Sequence, residues 1–172
     1  MYCFKANPIS RNEIREYVYE IKKELGLENE LFFPIVKFVE NVLPELIPGF
    51  TFEIKPVEEM GTLHGRTYPS KNIIQIREDI YIRAVRGEGR DRLTIAHEVG
   101  HLLMHDETEL ALCRLSPGSS LKPYEDPEWQ ANAFGGELLA SSYLIDGMTA
   151  EEVKEKCGVS LVAAKNQLKS IK

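Results

Sequence analysis

Apolar residues recur at helical spacing in the first part of the chain. Between Ile14 and Leu25 they return every three or four residues, which predicts an amphipathic helix. Ser10 and Glu13 precede this run as a capping-box pair, and Gly26 is a suitable stop. The pattern therefore predicts a first helix between Ser10 and Gly26.

The pattern next predicts a second helix and, after it, a group of strands. Pro34 lies near the first turn of that helix, and Pro44 and Pro48 are expected to end it, because proline breaks a helix interior. Apolar and polar residues alternate over 50–55, which is typical of a half-buried strand. Residues 63–77 predict a hairpin whose turn is Pro-Ser-Lys-Asn. Three strands, enough for a small sheet, are therefore expected here.

The second half of the chain is mainly helical in its pattern. A short helix is predicted over 79–86, and the apolar run over 93–104 is compatible with another helix. Residues 107–125 are interpreted as a long irregular link, which in a compact domain is usually functional or disordered. An Asp N-cap and a proline begin a helix over 127–139. A final helix pair is predicted over 149–171, in which Thr149 and Glu152 form a second capping box and Gly158 is a suitable stop.

No internal repeat or linker divides residues 1–172, so we predict a single α+β domain that is mostly helical. It has N-terminal helices at 1–49, a small three-stranded sheet at 50–77 and a helical part at 78–172 that ends in the helix pair. A chain of this length can bury a real core.

Charge, cysteine use and hydropathy narrow the possible functions. The formal net charge is −6, which argues weakly against a nucleic-acid phosphate partner. Cys3, Cys113 and Cys157 have no paired spacing, so we expect no disulfide framework. No apolar run reaches the ~18 residues of a membrane span, and Met1–Ser10 lacks the pattern of a secretory signal. Together these features predict a cytoplasmic protein without membrane contact.

The apolar run over 93–104 contains the sequence His97-Glu98-Val99-Gly100-His101. On a helix, residues four apart leave the same face, so the two imidazoles can bind one Zn²⁺. Glu98 is turned by about 100°, which places its carboxylate beside the open side of such a metal rather than among its ligands. The competing interpretation is a buried helix with two hydrogen-bonded core histidines.

A catalytic zinc usually has a third protein ligand, for which Glu128 is our first candidate. It lies in the first turn of the helix over 127–139, where the helix dipole favours an ionised carboxylate. Glu125, Asp126 and Asp106 are competing oxygen ligands, and Cys113 is a competing sulfur ligand. The residue types alone leave a simple surface role for Glu128 equally open.

Further residues near these helices have predicted supporting roles. His105 lies about 12 Å along the helix from the first histidine, too far for a shared ion, so we expect it to pack or hydrogen-bond at the helix end. Asn132, one turn after the candidate glutamate, could orient a ligand imidazole, although a solvent-facing role is as plausible. Gly100, Gly135 and Gly136 would let the two helices approach closely.

Two segments of the chain together carry a resemblance to a known family. Residues 93–105, Leu-Thr-Ile-Ala-His-Glu-Val-Gly-His-Leu-Leu-Met-His, and 128–139, Glu-Trp-Gln-Ala-Asn-Ala-Phe-Gly-Gly-Glu-Leu-Leu, resemble the ImmA/IrrE family of metallopeptidases. Residues 158–168 also match the last helix of that family, and the resemblance covers about 50–172. One departure is Ala-Ser-Ser at 140–142, where the family often has Met-Pro.

The resemblance implies a compact zincin-like domain with a small sheet beside the metal-binding helix. It also implies that Glu128 is the third zinc ligand. Family members act as cytoplasmic proteases on few partners, commonly cleaving a helix-turn-helix repressor, and others act in stress responses or toxin–antitoxin pairs. The resemblance therefore implies that this chain is a zinc-dependent endopeptidase whose substrate is such a regulator or an antitoxin.

For peptide hydrolysis we expect zinc on His97, His101 and Glu128 to activate water, and Glu98 to transfer the proton to the leaving amine. The strand over 73–77 could pair with an extended substrate. A donor for the tetrahedral oxyanion is also needed. Its candidates, each of which could instead be structural, are Tyr124, Tyr143, His64, Arg66 and Tyr68.

Other function classes remain open at this stage. A regulatory protein could use the same fold to hold a transcription factor, and a filled fourth coordination position on zinc would favour that role. A helix–turn–helix outline over 149–172, with five lysines and three glutamates, suggests direct DNA binding as a weaker alternative. A zinc amidohydrolase for small molecules and a toxin with a broader target use the same site residues.

Overall fold

The computed structural model describes residues 2–105, 111–116 and 119–171, and most of them are helical. The α-helices are α1 (Arg11–Glu24), α2 (Ile35–Lys37), α3 (Leu43–Leu46), α4 (Val57–Met60), α5 (Glu78–Val85), α6 (Gly89–Met104), α7 (Pro127–Leu139), α8 (Ser142–Ile145), α9 (Ala150–Cys157) and α10 (Leu161–Lys169). Strands make up a much smaller part, so the predicted α+β class with mainly helical content is confirmed.

A three-stranded mixed sheet lies against α6. Its order is β2 (Thr51–Lys55), β4 (Ile73–Arg77), β3 (Gly65–Tyr68), with β2 parallel and β3 antiparallel to β4. The predicted hairpin is therefore confirmed, and a short 3₁₀ turn (Pro69–Lys71) connects its strands. On the outer strand β2 the expected burial of every second residue is incomplete, because Ile54 is 45% exposed at the edge of the sheet.

A second strand pair was not predicted. β1 (Tyr2–Lys5) pairs antiparallel with β5 (Ala111–Arg114), so part of the predicted irregular link 107–125 is a strand, and the part at 1–49 is not purely helical. Each strand is short and isolated in the sequence, and only its distant partner supplies the hydrogen bonds that stabilise it. Cys3 and Cys113 face each other across this pair as free thiols.

The second predicted helix does not end at Pro44. α2 continues through a π-helical segment (Phe38–Val42) into α3, which reaches Leu46. Leu43 N–H bonds to the Phe38 carbonyl, five residues earlier, and Pro44 follows in the first turn of α3. The wider turn restarts the helix just before the proline, where a missing N–H is tolerated.

Helix α6 packs along α7 at the centre of the molecule, and two glycines allow the close approach. A Cβ at Gly100 would lie 3.1 Å from Ala131 Cα, and one at Gly135 would lie 3.2 Å from the His97 backbone nitrogen. Gly136 instead faces α10, where a Cβ would meet the side chain of Gln167. The predicted packing role is thus confirmed for two glycines, and the third serves a different helix.

The buried Arg92 of α6 contacts one segment from the N-terminal part of the chain and one from the C-terminal part. Its guanidinium donates to the carbonyls of Phe33, Cys157 and Gly158. Gly158 ends α9 in the left-handed conformation, as its position after the capping box of that helix predicts. Since a buried cation is costly without partners, these three carbonyls explain how Arg92 holds α9 and the segment before α2 against the metal-binding helix.

Among the residues that the structure describes, no helix has both the length and the apolar character needed to cross a bilayer.

Candidate metal centre

Helices α6 and α7 bring three potential metal ligands together. His97 and His101 leave the same face of α6, and their Nε2 atoms are 3.0 Å apart. Glu128, in the first turn of α7, places Oε2 3.3 Å from Nε2 of His97 and Oε1 3.2 Å from Nε2 of His101. The Asp126 carboxylate caps this helix by accepting the Glu128 N–H at 3.0 Å, which fixes the start of α7 beside the histidines.

The spacing of these atoms fits a tetrahedral zinc ion. With metal–ligand bonds of about 2.0–2.1 Å, tetrahedral ligand atoms are separated by about 3.3 Å. The Nε2–Nε2 separation of 3.0 Å lies close to that value, and Glu128 approaches each imidazole with a different oxygen, at 3.2 and 3.3 Å, so that its ligand atom lies within 4.8 Å of both nitrogens. The three residues therefore fit a small divalent cation that takes nitrogen and oxygen ligands.

Hydrogen bonding sets the tautomer of His97. Its Nδ1 lies 3.0 Å from Oδ1 of Asn132, so the neutral ring donates its Nδ1–H and leaves a lone pair on Nε2. Asn132 thus occupies the supporting position that its spacing from Glu128 suggests. An Nε2 lone pair that faces a carboxylate and a second imidazole needs a proton or a metal ion between them.

Electrostatics favours a cation at this point. Burial is the largest single influence on His97 and lowers its pKa, but the carboxylates of Glu128 and Glu98 outweigh it and raise the net pKa. Hydrogen bonds from His101 and then His97 hold the pKa of Glu128 well below its usual range. The Glu128 side chain is 66% exposed, so solvent screens this interaction, and the carboxylate stays ionised as a ligand must be.

The competing ligands have other partners. Glu125 pairs with Lys5 at 2.8 Å, Asp126 is the cap of α7, and Cys113 faces Cys3 on the strand pair. Asp106 lies outside the described residues. In the described part of the chain, His97, His101 and Glu128 are the one group of three His, Cys, Asp or Glu side chains able to share an ion.

Glu98 lies beside this group, against strand β3. Its carboxylate accepts a hydrogen bond from Thr67 Oγ1 at 2.6 Å and is largely buried. A Cβ at Gly65 would come within 2.7 Å of Glu98 Oε1, so only glycine leaves room for the carboxylate in this position. Sequence reasoning missed both Thr67 and Gly65, because strand pattern does not indicate which helix residue a strand will face.

An open cavity of about 660 Å³ lies in front of the three ligand residues and Glu98. Strand β3 forms one wall, with Gly65, Arg66 and Thr67, and His105 lies on the α6 side. Phe4 and Leu63 add exposed apolar surface. The cavity is thus large enough for several residues of an extended peptide and offers both polar and apolar contacts.

The structure separates the oxyanion candidates. Arg66 lines the cavity, and His64 lies in an adjoining depression with His97 and Glu98. Tyr143 donates its hydroxyl to the Glu28 carbonyl, and Tyr124 lines a separate depression beside Trp129. The ring of Tyr68 lies under the Arg66 and Lys71 side chains. The Arg66 guanidinium instead donates to Gln75 Oε1 on β4 at 2.9 and 2.6 Å. Of the five candidates, only His64 is therefore placed by these contacts next to the catalytic candidates.

The strand expected to pair with a substrate is also corrected. β4 is the central strand and is bonded on both edges, to β2 and β3, so it cannot accept another strand. β3 is an edge strand, and it lines the cavity. The sequence pattern of a buried strand could not show which of the three strands is outermost.

His105 ends α6 and does not join the three ligands. Its Nδ1 lies 3.0 Å from Nδ1 of His101, on the side of the ring opposite the Nε2 that faces Glu128. Burial lowers the pKa of His105, so the ring is neutral at neutral pH. The prediction of a hydrogen-bonding residue at the helix end agrees with this position.

Comparison with known proteins identifies the family. No curated protein matches the chain significantly. The sequence model of the peptidase M78 family, described as the IrrE N-terminal-like domain, matches residues 49–169, which contain α6 and α7. The match covers more than half of the chain and agrees with the resemblance of the two helix segments, and the chain therefore belongs to the peptidase M78 (IrrE N-terminal-like) family.

Proposed function

We propose that this protein is a zinc-dependent endopeptidase that cleaves a specific protein partner. The observation that carries the proposal is the convergence of two imidazole nitrogens and a carboxylate within hydrogen-bond range, with Glu98 directly beside them. Membership of a peptidase family supports hydrolysis of a peptide bond. His97, His101 and Glu128 are the proposed zinc ligands.

Each side chain around the proposed metal has a separate role in the proposed reaction. A bound zinc supplies Lewis acidity, which lowers the pKa of water and polarises a carbonyl oxygen. Glu98 accepts the proton of the attacking water and delivers it to the leaving amine. Thr67 donates to Glu98 Oε2 and so holds the carboxylate in place while its other oxygen remains beside Gly65. His64 is the candidate donor to the developing oxyanion.

Substrate binding is proposed at the outer edge of β3. An extended peptide can add to an edge strand through backbone hydrogen bonds, which gives affinity without demanding a sequence. Phe4 and Leu63 supply apolar surface that favours an apolar side chain next to the cleaved bond. The proposed partner is a helix-turn-helix repressor or an antitoxin, as the resemblance to repressor-cleaving proteases implies.

The test is co-expression of the protein with the helix-turn-helix regulator encoded nearest to its gene, followed by intact mass measurement of the regulator. Wild type is compared with Glu98→Gln, which keeps the proposed ligands but lacks the base. Loss of general acid–base transfer is expected to slow cleavage by about 10²–10⁴-fold. Zinc bound per purified chain is measured alongside and is expected to stay at one.

A matched control is Glu125→Gln, which changes a nearby carboxylate that pairs with Lys5 rather than with the histidines. It is expected to cleave at the wild-type rate and to retain zinc. Cleavage by Glu98→Gln at the wild-type rate would contradict the mechanism. An intact regulator with wild type, despite one bound zinc, would overturn this regulator as the substrate and favour a role in binding.

A further inference from the structure

A chain of hydrogen bonds runs from His101 to the backbone of the N-terminal segment. His101 Nδ1 contacts His105 Nδ1 at 3.0 Å, and His105 Nε2 contacts Gln130 Oε1 at 2.8 Å. Gln130 Nε2 then contacts the carbonyls of Asn7 at 2.8 Å and Tyr124 at 2.9 Å. His105 is 5% exposed and Gln130 is 1% exposed, so the contact between these two residues is shielded from water.

The contacts of Gln130 with the two carbonyls determine which atom donates and which accepts in every hydrogen bond of this series. A carbonyl oxygen can only accept, so the two contacts to Asn7 and Tyr124 require the amide NH₂ of Gln130 on that side. The amide oxygen of Gln130 must then face His105, whose Nε2 must carry the hydrogen. In the neutral form of the His105 ring, Nδ1 is then the accepting nitrogen.

The same logic continues to the metal centre. Because His105 Nδ1 accepts, His101 must donate its Nδ1–H across the 3.0 Å contact. The remaining lone pair of His101 is on Nε2, the atom 3.2 Å from Glu128 Oε1. Two backbone carbonyls outside the metal-binding helix thus determine which nitrogen of His101 is free to bind a metal.

We propose that His105 and Gln130 are positioning residues that set the tautomer and ring orientation of His101 for metal binding. The inference rests on the proposed metal centre, but it concerns residues other than the three proposed ligands and the proposed base. One of its anchors, Asn7, lies before the part of the chain that the family model matches. Partners of this kind typically contribute 10–100-fold to metal affinity.

The first measurement is the zinc dissociation constant by competition with a chromogenic chelator, at a single pH and with each variant first shown to be folded. His105→Leu removes the acceptor and is expected to raise the dissociation constant by about 10–100-fold. Gln130→Leu leaves His105 free to change tautomer and is expected to raise it by about tenfold. His105→Gln keeps one acceptor and one donor, so it is expected to stay within about threefold of wild type.

Gln167→Leu is the matched control for loss of a buried amide. Gln167 is also buried, and its oxygen accepts from Arg11, away from the three ligand residues. Its replacement is expected to lower thermal stability to a similar extent as Gln130→Leu while leaving zinc affinity unchanged. Equal zinc dissociation constants for wild type and His105→Leu would overturn the proposal.

A second measurement does not depend on zinc. Long-range ¹⁵N–¹H correlation spectra of the metal-free protein report which ring nitrogen of each histidine carries the hydrogen. Wild type is expected to show His105 protonated at Nε2 and His101 at Nδ1, and His105→Leu is expected to lose the single tautomer of His101. Absence of zinc binding in wild type would contradict the proposed function, whereas an unchanged His101 tautomer in His105→Leu would contradict this inference alone.

Discussion

Helix α7 carries a carboxylate near each end, and the surroundings of the two differ in kind. Glu137, near the C-terminal end, is 1% exposed and is paired with Arg15 at 3.2 Å and Arg11 at 3.5 Å. Its other oxygen accepts from the backbone N–H and the hydroxyl of Ser142. Glu128, at the N-terminal end, faces two histidines and is largely exposed.

The difference shows how a structural carboxylate can be distinguished from a ligand. The charge of Glu137 is balanced by side chains of the protein itself, and its oxygens have donors. Glu128 faces imidazole nitrogens whose neutral tautomers offer lone pairs, so its surroundings lack a positive charge unless a proton or a metal ion supplies one. The same residue type on the same helix therefore stabilises the fold at one end and is available to a cation at the other.

The largest effect on stability is expected from Glu137→Gln. The change leaves Arg11 and Arg15 beside a neutral amide, and breaking a buried ion pair costs about 3–5 kcal/mol. Because both arginines are about one-quarter exposed, we expect the lower end, about 3 kcal/mol. Chemical denaturation measures the loss, and the zinc dissociation constant is expected to stay the same. A Glu137→Gln variant that is as stable as wild type but no longer binds zinc would contradict the assignment of Glu137 to the fold rather than to the metal.

The same substitution at the other end, Glu128→Gln, is expected to have the opposite profile. Removing a direct ligand should weaken zinc binding by more than about 100-fold, since outer partners alone contribute 10–100-fold. Unfolding of the metal-free protein should change by less than about 1 kcal/mol, because the carboxylate is exposed and screened. Chelator competition and denaturation of the same samples separate the two effects. Unchanged zinc affinity would remove Glu128 from the proposed site.

A third carboxylate, Glu98, sharpens the comparison because it is buried but has only one side-chain donor within hydrogen-bond range among the described residues, Thr67. Thr67→Val keeps the shape of the side chain and removes the hydroxyl. Loss of a hydrogen bond to a charged group costs about 1.5–3 kcal/mol, so we expect cleavage to slow by about 10–100-fold. The zinc content serves as the control and should remain at one. Wild-type cleavage would show that Thr67 does not hold the base.

The smallest expected effect is a pH dependence of zinc binding. The raised folded pKa of His97 means that protonation stabilises the metal-free fold at low pH, and this contribution is lost as pH rises through that pKa. Zinc requires the neutral ring, so protons compete with it increasingly as pH falls. The pKa of Glu128 is lowered, so this carboxylate stays ionised over the same range.

We therefore expect zinc affinity to be about tenfold lower at pH 5.5 than at pH 7.5. The rise in melting temperature on adding zinc should shrink accordingly. His64 is the one histidine of the chain other than His97, His101 and His105. It serves as the control, because His64→Gln should leave the pH dependence of zinc affinity unchanged. A zinc-induced rise in melting temperature that becomes larger towards acidic pH would contradict the assignment of His97 as a ligand.

Much of the fold was predictable where local sequence determines local structure. Both capping boxes, Ser10 with Glu13 and Thr149 with Glu152, begin helices as predicted. The hairpin over 63–77 also forms. The predictions failed where a distant partner or a change of helical pitch decides the outcome, as in the β1–β5 pair and the π-helical segment before Pro44. Short strands carry too few residues for a periodic signal.

The sequence by itself determined that His97 and His101 share one face of a helix with Glu98 beside them, because a helix converts a spacing of four residues into a shared face. It also indicated Glu128, but residue type could not separate a ligand from a surface acid. Only the tertiary structure placed Glu128 beside the histidines, by packing α7 on α6 with Glu128 Oε2 3.3 Å from Nε2 of His97. The tertiary structure likewise decided that β3 is the edge strand beside the cavity and that Gln130 and His105 form a hydrogen-bonded series with His101, since such contacts depend on how separate segments pack.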